Sequence, residues 1–259
     1  MDLELKGKVI LVTGGARGIG AAIVKQLAAE GAIPVIIGKD EPDNQAMLKE
    51  IKGLAPEAIQ IKAELTQPEE CAHAINIAVA QFGRIDGLVN NAGVNDGVGL
   101  ESGTYEQFIL SLHRNLVHYF LMAQCCLRYL KKTSGAILNI TSKVAETGQG
   151  NTSAYAAATG GRSALTREWA TELLKYRIRV NAIVVAECYT PLYEYWVNTF
   201  PDPQAKLKQI TDRIPLGKRM TKPEEIASAA LFLLSPRSGH TTGQLLHVDG
   251  GYVHLDRAL

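Results

Sequence analysis

The sequence has few of the features that mark secreted, membrane-embedded or nucleic-acid-binding proteins. Its 259 residues include four cysteines and no Cys-x-x-Cys pair, so reduced thiols and a cytoplasmic location are expected. The 27 basic and 26 acidic residues leave a net charge of +1, which offers no basic surface for nucleic acid. The longest apolar runs are far shorter than a membrane span, and the first six residues lack the layout of a signal peptide. The six histidines have no metal-binding spacing, so no metal site is predicted.

Short apolar segments alternate with longer segments of helical periodicity along residues 1–259. This alternation predicts a single-domain, doubly wound α/β Rossmann fold, with about seven parallel strands and helices on both faces of the sheet. A long irregular segment, Pro191–Pro215, is expected to form a lid or substrate loop at about residues 186–215. The predicted strands are Val9–Thr13, Val35–Ile37, Ile59–Ile61, Leu88–Asn90, Ala136–Thr141, Ile178–Val185 and Gln244–Val248. The predicted helices are Ile19–Glu30, Asn44–Gly53, Pro68–Phe82, Tyr105–Tyr129, Ala154–Leu174 and Pro223–Leu234.

A glycine-rich segment, Thr13–Gly20, joins the first predicted strand to the first predicted helix. Its glycines are Gly14, Gly18 and Gly20, and a side chain at these positions would keep a pyrophosphate away from the N–H groups that begin the helix. An ordinary tight turn would not explain three glycines at a helix start. The segment therefore predicts a dinucleotide-binding site.

The end of the second strand is expected to select between NAD and NADP. Gly38 occupies the place where an acidic residue would bond the adenosine ribose. Lys39 and Arg17 would then lie near a 2′-phosphate, which favours NADP, although Lys39 is also readily explained as a solvated loop residue. Asp40 would serve NAD if the register slips by two residues. Glu64, after the third strand, is expected to bind the adenine amine.

Several further motifs occur in order along the chain, and with the glycine-rich segment they are Thr13–Gly20, Asn90–Gly93, Asn115, Ser142, Tyr155, Asn181 and Val248–Gly251. In these motifs the chain resembles the short-chain dehydrogenase/reductase family over its full length. A second set of segments consists of Val94–Gly97, Gly148–Thr152, Thr190–Tyr193, His240–Gly243 and Tyr252–Leu259. In these segments it is most similar, within that family, to the bacterial L-fucose (aldose) dehydrogenases.

The resemblance implies a role for each matched residue. Tyr155 is the general acid/base, Ser142 bonds the reacting oxygen and Asn115 holds a water in a proton relay. Asn91 organises the fourth strand, and Thr190 contacts the nicotinamide carboxamide. The family further implies a homotetramer built on the helices Tyr105–Tyr129 and Ala154–Leu174 and on the C-terminal tail. The positions expected to bind cofactor are Gly14, Arg17, Gly18, Ile19, Gly20, Lys39, Glu64, Leu65, Asn91, Ala92, Gly93, Tyr155 and Thr190.

One catalytic position departs from the family pattern. A tyrosine ordinarily has a pKa of about 10 and needs a neighbouring cation to act as a base near neutrality. The family supplies a lysine one turn beyond Tyr155, but this chain has Thr159, which can bond a ribose hydroxyl and carries no charge. Arg162 and Lys143 are candidate substitute cations, although each is also readily explained as a surface or packing residue. The alternative is a cofactor-binding protein with impaired turnover.

A second departure follows the sixth predicted strand, where Val184–Glu187 occupies the place of the family's usual Pro-Gly turn. Polar and aromatic residues beside the predicted reaction centre suit a sugar, which has an apolar C–H face and a rim of hydroxyls. We therefore predict oxidation of the anomeric hydroxyl of an L-fucose-like aldose to the lactone, with a ketone or hydroxysteroid reductase as the alternative. The predicted substrate-binding residues are Asn95, Glu146, Gln149, Asn151, Glu187, Tyr193 and Trp196.

Three of these assignments have a simpler explanation. Tyr193 and Trp196 have the i, i+3 spacing of residues that pack a lid helix. Asn95, with Asp96, would serve equally to end a turn.

Overall fold

A computed structural model describes residues 2–255, and its centre is a seven-stranded sheet in which every strand pair is parallel. The spatial order is β3-β2-β1-β4-β5-β6-β7. The strands are β1 Val9–Thr13, β2 Ile33–Gly38, β3 Ile59–Lys62, β4 Gly87–Asn90, β5 Ala136–Ser142, β6 Arg179–Val185 and β7 Leu245–Val248. All seven predicted strands are confirmed, with ends that differ by a few residues.

The helices cover both faces of this sheet, which explains why its central strands are almost continuously apolar. The predicted doubly wound fold is therefore confirmed. The helices are α1 Gly18–Ala29, α2 Glu41–Ile51, α3 Pro68–Phe82, α4 Tyr105–Leu112, α5 His118–Thr133, α6 Ser153–Leu173, α7 Pro191–Val197, α8 Pro203–Thr211 and α9 Pro223–Leu234.

The strand order reverses between β1 and β4, which are neighbours in the sheet. In open α/β sheets, ligands bind outside the carboxyl ends of the strands at such a switch point. The carboxyl ends of β1, β4 and β5 are Thr13, Asn90 and Ser142. The topology thus brings three of the sequence motifs to one edge.

Two predicted elements need correction. The expected single helix Tyr105–Tyr129 is divided by a π-helical turn at His113–Val117 and then runs on to Thr133. Single π-turns inside helices are frequent at functional sites.

The expected irregular segment Pro191–Pro215 contains the helices α7 and α8. Each begins with a proline in its first turn, and the preceding residue, Thr190 or Asp202, caps it through a side-chain oxygen. The segment is therefore a helical flap over the carboxyl edge rather than an irregular loop.

Within residues 2–255, no helix is both long enough and apolar enough to cross a membrane. The four cysteines are free thiols, and burial raises the pKa of Cys71 and of Cys188 to about 12. Cys125 and Cys126 differ in burial, as expected for neighbours on different sides of a helix. The last four residues of the Tyr252–Leu259 motif lie outside the described part of the chain.

Candidate active site

The glycine-rich turn has a backbone that only glycine accommodates at two of its positions. Gly14 and Gly18 have φ angles of 62° and 54°. At Gly20, a Cβ atom would lie 2.1 Å from the backbone oxygen of Gly14. Gly18 lies against Thr190, where an added Cβ would be 3.3 Å from the threonine methyl carbon. The turn therefore packs closely against α1 and against the start of α7. A phosphate-binding turn requires such a backbone, free of side chains, at the start of a helix.

Asn91 and Ala92 fasten this turn to the end of β4. The backbone N–H groups of Asn91 and Ala92 donate to the hydroxyl of Thr13, at 2.9 and 3.1 Å. The Asn91 amide donates to the carbonyls of Thr13 and Gly14, at 2.9 and 3.2 Å. The predicted cofactor-binding residues that follow β1 and β4 are therefore held together by hydrogen bonds at the end of β1.

The expected ribose-selecting residues lie together beyond β2 and β3. Arg17 forms an ion pair with Asp43 and lies 3.9 Å from a carboxylate oxygen of Asp40. Lys39 is only loosely paired, its Nζ lying 4.0 Å from a carboxylate oxygen of Glu64, and its side chain is 76% exposed. Lys39 therefore remains available to a ligand, whereas the charge of Arg17 is already compensated.

Gly38 and Glu64 are held by their own local contacts. A Cβ at Gly38 would lie 2.9 Å from the side-chain oxygen of the buried Asn44, whose amide donates to the Gly38 carbonyl. Glu64 accepts hydrogen bonds from the backbone and the hydroxyl of Thr66, while Leu65 is buried. The absence of an acidic side chain at Gly38 therefore follows from close packing against α2.

Ser142 and Tyr155 are joined through the contact between β5 and α6. Ser142 is the last residue of β5, and its hydroxyl accepts a 3.4 Å hydrogen bond from the Val144 backbone. One residue earlier, the hydroxyl of Thr141 donates to the backbone oxygen of Thr159 at 3.0 Å, which fixes α6 against the strand. Tyr155 lies in the first turn of that helix and is partly exposed.

Thr159 is a buried part of this contact. It has no exposed surface, and its hydroxyl donates to the backbone oxygens of Tyr155 and Ala156, at 2.9 and 3.2 Å. The hydroxyl expected to reach a ribose is therefore engaged by its own helix.

Arg162, three residues further along α6, is also buried, with 2% exposure. Its Nε–H donates to the backbone oxygen of Asn115 at 2.5 Å, and Nη2 donates to the Asn115 side-chain oxygen at 3.3 Å. Nη1 donates to the Ile140 carbonyl at 3.2 Å. The guanidinium carbon lies 5.7 Å from the centre of the Tyr155 ring and 4.4 Å from that of Tyr119. The explanation of Arg162 as a surface residue is therefore wrong.

Asn115 lies in the π-turn and links Arg162 to a carboxylate through a chain of hydrogen bonds. Its side-chain oxygen also accepts from the Val94 backbone at 2.8 Å, and its amide donates to the hydroxyl of Ser111 at 3.3 Å. The Ser111 hydroxyl in turn donates to Asp96 at 2.7 Å. The Asn95 side-chain oxygen accepts from the Gly97 backbone, a contact that forms a turn. The sequence left open whether Asp96 lines the substrate pocket or ends a turn. In the structure it belongs to the hydrogen-bond network of Asn115, the predicted relay residue.

Two predicted pocket residues form an ionic cluster with Lys143. Lys143 pairs with Glu187, and their side chains are only 8% and 12% exposed. The Tyr193 hydroxyl donates to the other Glu187 oxygen at 2.7 Å, and burial together with the Glu187 charge raises the pKa of Tyr193. Lys143 is therefore neutralised by the acidic residue that stands at the second departure from the family pattern.

The aromatic side chains of the flap pack edge to face in a row. The ring centres of Tyr193 and Trp196 are 5.2 Å apart, and those of Trp196 and Phe200 are 5.0 Å apart. The packing interpretation of Tyr193 and Trp196 is therefore correct, yet Trp196 remains 40% exposed and offers a face to a ligand.

The remaining predicted pocket residues lie on the loop that follows Ser142. Gln149 and Asn151 are exposed, and Asn151 has a φ angle of 53°. The two carboxylate oxygens of Glu146 lie within hydrogen-bond distance of Nε2 of His247 in β7, at 3.0 and 3.1 Å. His254 packs edge to face against His247, and one ligand atom from each of Glu146, His247 and His254 lies within 4.8 Å of the others. Sequence spacing gave no sign of this group, which has the donor chemistry to hold a transition metal.

Comparison with known proteins identifies the class of the site. Over residues 14–253 the chain matches the sequence model of the family described as enoyl-(acyl carrier protein) reductase. It is 36% identical over 252 residues to L-fucose dehydrogenase of Bos taurus, covering 97% of this chain and 91% of that protein. The chain belongs to the short-chain dehydrogenase/reductase family. Other members are similar at comparable levels, so the family does not by itself name a substrate.

Two further family members illustrate this breadth. The 3alpha-hydroxysteroid dehydrogenase of Mediterraneibacter gnavus is 34% identical over 254 residues, covering 96% of this chain and 98% of that protein. The crystal structure of Cj0485 dehydrogenase has a TM-score of 0.97 at 48% identity, covering 100% of this chain and 99% of that one. As a short-chain dehydrogenase/reductase, the protein is an NAD(P)-dependent oxidoreductase of small molecules.

Proposed function

We propose that the protein oxidises the anomeric hydroxyl of an aldose such as L-fucose to the lactone, with reduction of NAD(P)⁺. The observation that carries the proposal is the exposed face of Trp196, which packs on Tyr193 of the Lys143–Glu187 cluster beside the Ser142 strand end. An aromatic face suits the C–H side of a sugar ring, and the exposed polar side chains of Gln149 and Asn151 are available to its hydroxyl rim. The similarity to L-fucose dehydrogenase supports the same substrate class.

The close packing at Gly14 and Gly20 supports a dinucleotide at the cradle described above, because a Cβ at either position would strike the turn itself or the Asn91–Ala92 segment, so the backbone there is bare of side chains. Gly14, Gly18, Ile19 and Gly20 would hold the pyrophosphate at the start of α1. Asn91, Ala92, Gly93 and Thr190 would flank the nicotinamide half, and Glu64 and Leu65 the adenine. A bound NAD(P)⁺ would supply the acceptor for the hydride of the carbinol carbon.

The chain's own residues then handle the proton. Ser142 holds the reacting oxygen, and the Tyr155 phenolate takes the hydroxyl proton as the C–H hydrogen leaves with its electron pair. Asn115, Ser111 and Asp96 form the hydrogen-bonded path beside this step. The carbonyl that forms at the anomeric carbon makes the product a lactone.

We propose NADP as the preferred cofactor, with Lys39 as the residue that binds its 2′-phosphate. Lys39 is exposed and only loosely paired, and no acidic side chain stands at Gly38 to repel a phosphate. Arg17 contributes less, because Asp43 and Asp40 already compensate its charge.

The direct test is to incubate the protein with NAD⁺ or NADP⁺ and a panel of aldoses, and to follow reduced nicotinamide by absorbance. Turnover of a sugar with L-fucose stereochemistry, lost in Tyr155→Phe while cofactor binding persists, is the expected result. Preference for apolar ketones or hydroxysteroids would select the alternative that the hydroxysteroid dehydrogenase similarity favours. Cofactor binding without turnover of any alcohol would select a binding protein.

We further propose a homotetramer built on the surfaces of the α4–α5 region and α6 and on the C-terminal tail. Leu110 and Phe120 support it, because they expose 43% and 45% of their surface on the first of these helical segments. Analytical ultracentrifugation of the full chain tests this, and Phe120→Asp is expected to yield smaller species.

A further inference from the structure

The buried guanidinium of Arg162 has no ion-pair partner within the described part of the chain, residues 2–255. Three hydrogen bonds hold it, all to carbonyl oxygens of Asn115 and Ile140. Among the ion pairs of residues 2–255, none joins Arg162 to a carboxylate. A buried, uncompensated charge is costly, so its position calls for a reason beyond packing.

The backbone around Arg162 is shaped to admit the guanidinium. A Cβ added at Gly93 would lie 2.7 Å from Arg162 Nη2 and 3.0 Å from the Asn115 side-chain oxygen. The π-turn carries the Asn115 carbonyl that accepts the shortest Arg162 bond. The guanidinium therefore lies beside the glycine that ends the Asn-Asn-Ala-Gly motif, at the edge where the cofactor is proposed to bind.

The charge of Arg162 acts on the ionisable groups that surround it. Burial, and then the Arg162 charge, lower the pKa of His118 to about 3, so His118 is neutral. Burial raises the pKa of Tyr119, whose hydroxyl donates to the Ile140 carbonyl, and Tyr119 therefore stays protonated. Asp96 is separated from Arg162 by Ser111 and Asn115.

Two neighbours remain to be considered on the substrate side. Lys143, the other candidate cation, is neutralised by Glu187. Tyr155 is the partly exposed phenol near Arg162, at 5.7 Å from the guanidinium carbon to the ring centre. A cation in a water-poor site stabilises a nearby anion more strongly than it would in water.

We propose that Arg162 performs the electrostatic task of the missing lysine, by favouring the phenolate form of Tyr155 and by holding Asn115 in place. This inference rests on the proposed function, since Tyr155 is taken as its base. Arg162 is a positioning residue, because it acts through Tyr155 and Asn115. The buried charge of Arg162 then compensates for the charge that Thr159 lacks.

The test compares pH–rate profiles of the wild type, Arg162→Met and Arg162→Lys with NADP⁺ and the best aldose of the panel. Methionine keeps apolar volume and removes the charge, whereas lysine keeps the charge and loses the fork geometry. In the wild type, the oxidation rate is expected to rise toward alkaline pH as Tyr155 loses its proton. In Arg162→Met, this rising limb of the pH–rate profile should shift to higher pH by about one unit, which lowers the rate at neutral pH about tenfold. Arg162→Lys should keep the limb near its original position.

A matched control is Arg179→Met. Arg179 is another arginine held by carbonyl oxygens, those of Leu233, Leu234 and Ser235, at the amino end of β6. Its loss removes similar bonds far from Tyr155 and should leave the position of the limb unchanged. Circular dichroism of each variant shows beforehand that it folds.

A second measurement does not depend on turnover. Ultraviolet titration of tyrosinate, taken as the difference between each protein and its Tyr155→Phe form, follows Tyr155 alone. Arg162→Met should shift this titration to higher pH. Adding Thr159→Lys to the Arg162→Met variant should shift the titration back to lower pH. A lower rate at every pH with an unmoved limb and titration would overturn the inference and leave Arg162 with a structural role. Absence of turnover on all aldoses, together with the expected titration shift, would instead count against the proposed function alone.

Discussion

The hydroxyl of Thr159 donates a 2.9 Å hydrogen bond to the backbone oxygen of Tyr155, one turn earlier in α6. The hydroxyl at this position is therefore engaged by its own helix, and the side chain brings no charge to the phenol. The position still shares a helix face with Tyr155, because residues four apart lie one above the other.

Introducing a lysine at this position should improve catalysis. We expect Thr159→Lys to raise kcat and to shift the alkaline limb of the pH–rate profile to lower pH, because a second cation then favours the phenolate. General acid–base catalysis is worth about 10²–10⁴ in rate, which bounds the gain. The control Thr159→Met has a long uncharged side chain and should not produce the shift. If lysine leaves the profile of the wild type unmoved, Arg162 already performs the full task.

Removal of one partner of the Lys143–Glu187 pair should destabilise the protein. Both side chains are nearly buried, so Glu187→Gln leaves an uncompensated ammonium and should lower the free energy of unfolding by about 3–5 kcal/mol. Urea denaturation measures the change. The double variant Lys143→Met/Glu187→Leu should lose less than the sum of the single changes. Glu225→Gln, which breaks a much more exposed pair with Arg219, should cost about 1 kcal/mol or less.

His118 should make stability depend on pH. Its pKa is about 3 in the folded protein, whereas an unfolded histidine has a pKa of about 6.5. Between these values the unfolded chain binds the extra proton, so the free energy of unfolding rises with pH. The contribution is complete above pH 6.5 and is lost as the pH falls toward 3.

Chemical denaturation between pH 6.5 and 5 tests this, since carboxylates of ordinary pKa remain ionised there. We expect His118 to supply a slope of up to about 1.4 kcal/mol per pH unit. His118→Gln should remove that slope. The exposed His113 lies on the same helical segment, and His113→Gln should retain it. Equal slopes in the two variants would contradict the assignment.

Cofactor preference should respond to the charge at position 39. Lys39→Asp is expected to lower kcat/KM with NADP⁺ by about tenfold or more and to improve it with NAD⁺, because a carboxylate repels a 2′-phosphate and bonds ribose hydroxyls. The measurement is kcat/KM for both cofactors at one ionic strength. Lys62→Asp, at an exposed position at the end of the adjacent strand, should change the ratio little. A parallel change in both cofactors would argue against a role in selection.

Local sequence patterns determined the succession of strands and helices along the chain. Apolar periodicity and the glycine-rich turn are signals carried by residues that are close together in the sequence. The helices α7 and α8 were missed although their signals were local: Thr190-Pro191 and Asp202-Pro203 each place a capping residue before a proline. The aromatic and proline-rich composition of this segment obscured them.

Only the tertiary structure decided how the site is charged. The Lys143–Glu187 and Glu146–His247 pairs join residues 44 and 101 positions apart, and the Arg162 bonds to Asn115 span 47 positions. No spacing rule connects such residues, since it is the parallel crossovers that bring the strand ends to one edge. The sequence could therefore indicate a candidate base and the threonine where a lysine was expected. Packing between distant elements decides that Lys143 is neutralised and that Arg162 is buried with no carboxylate partner among the residues that the structure describes.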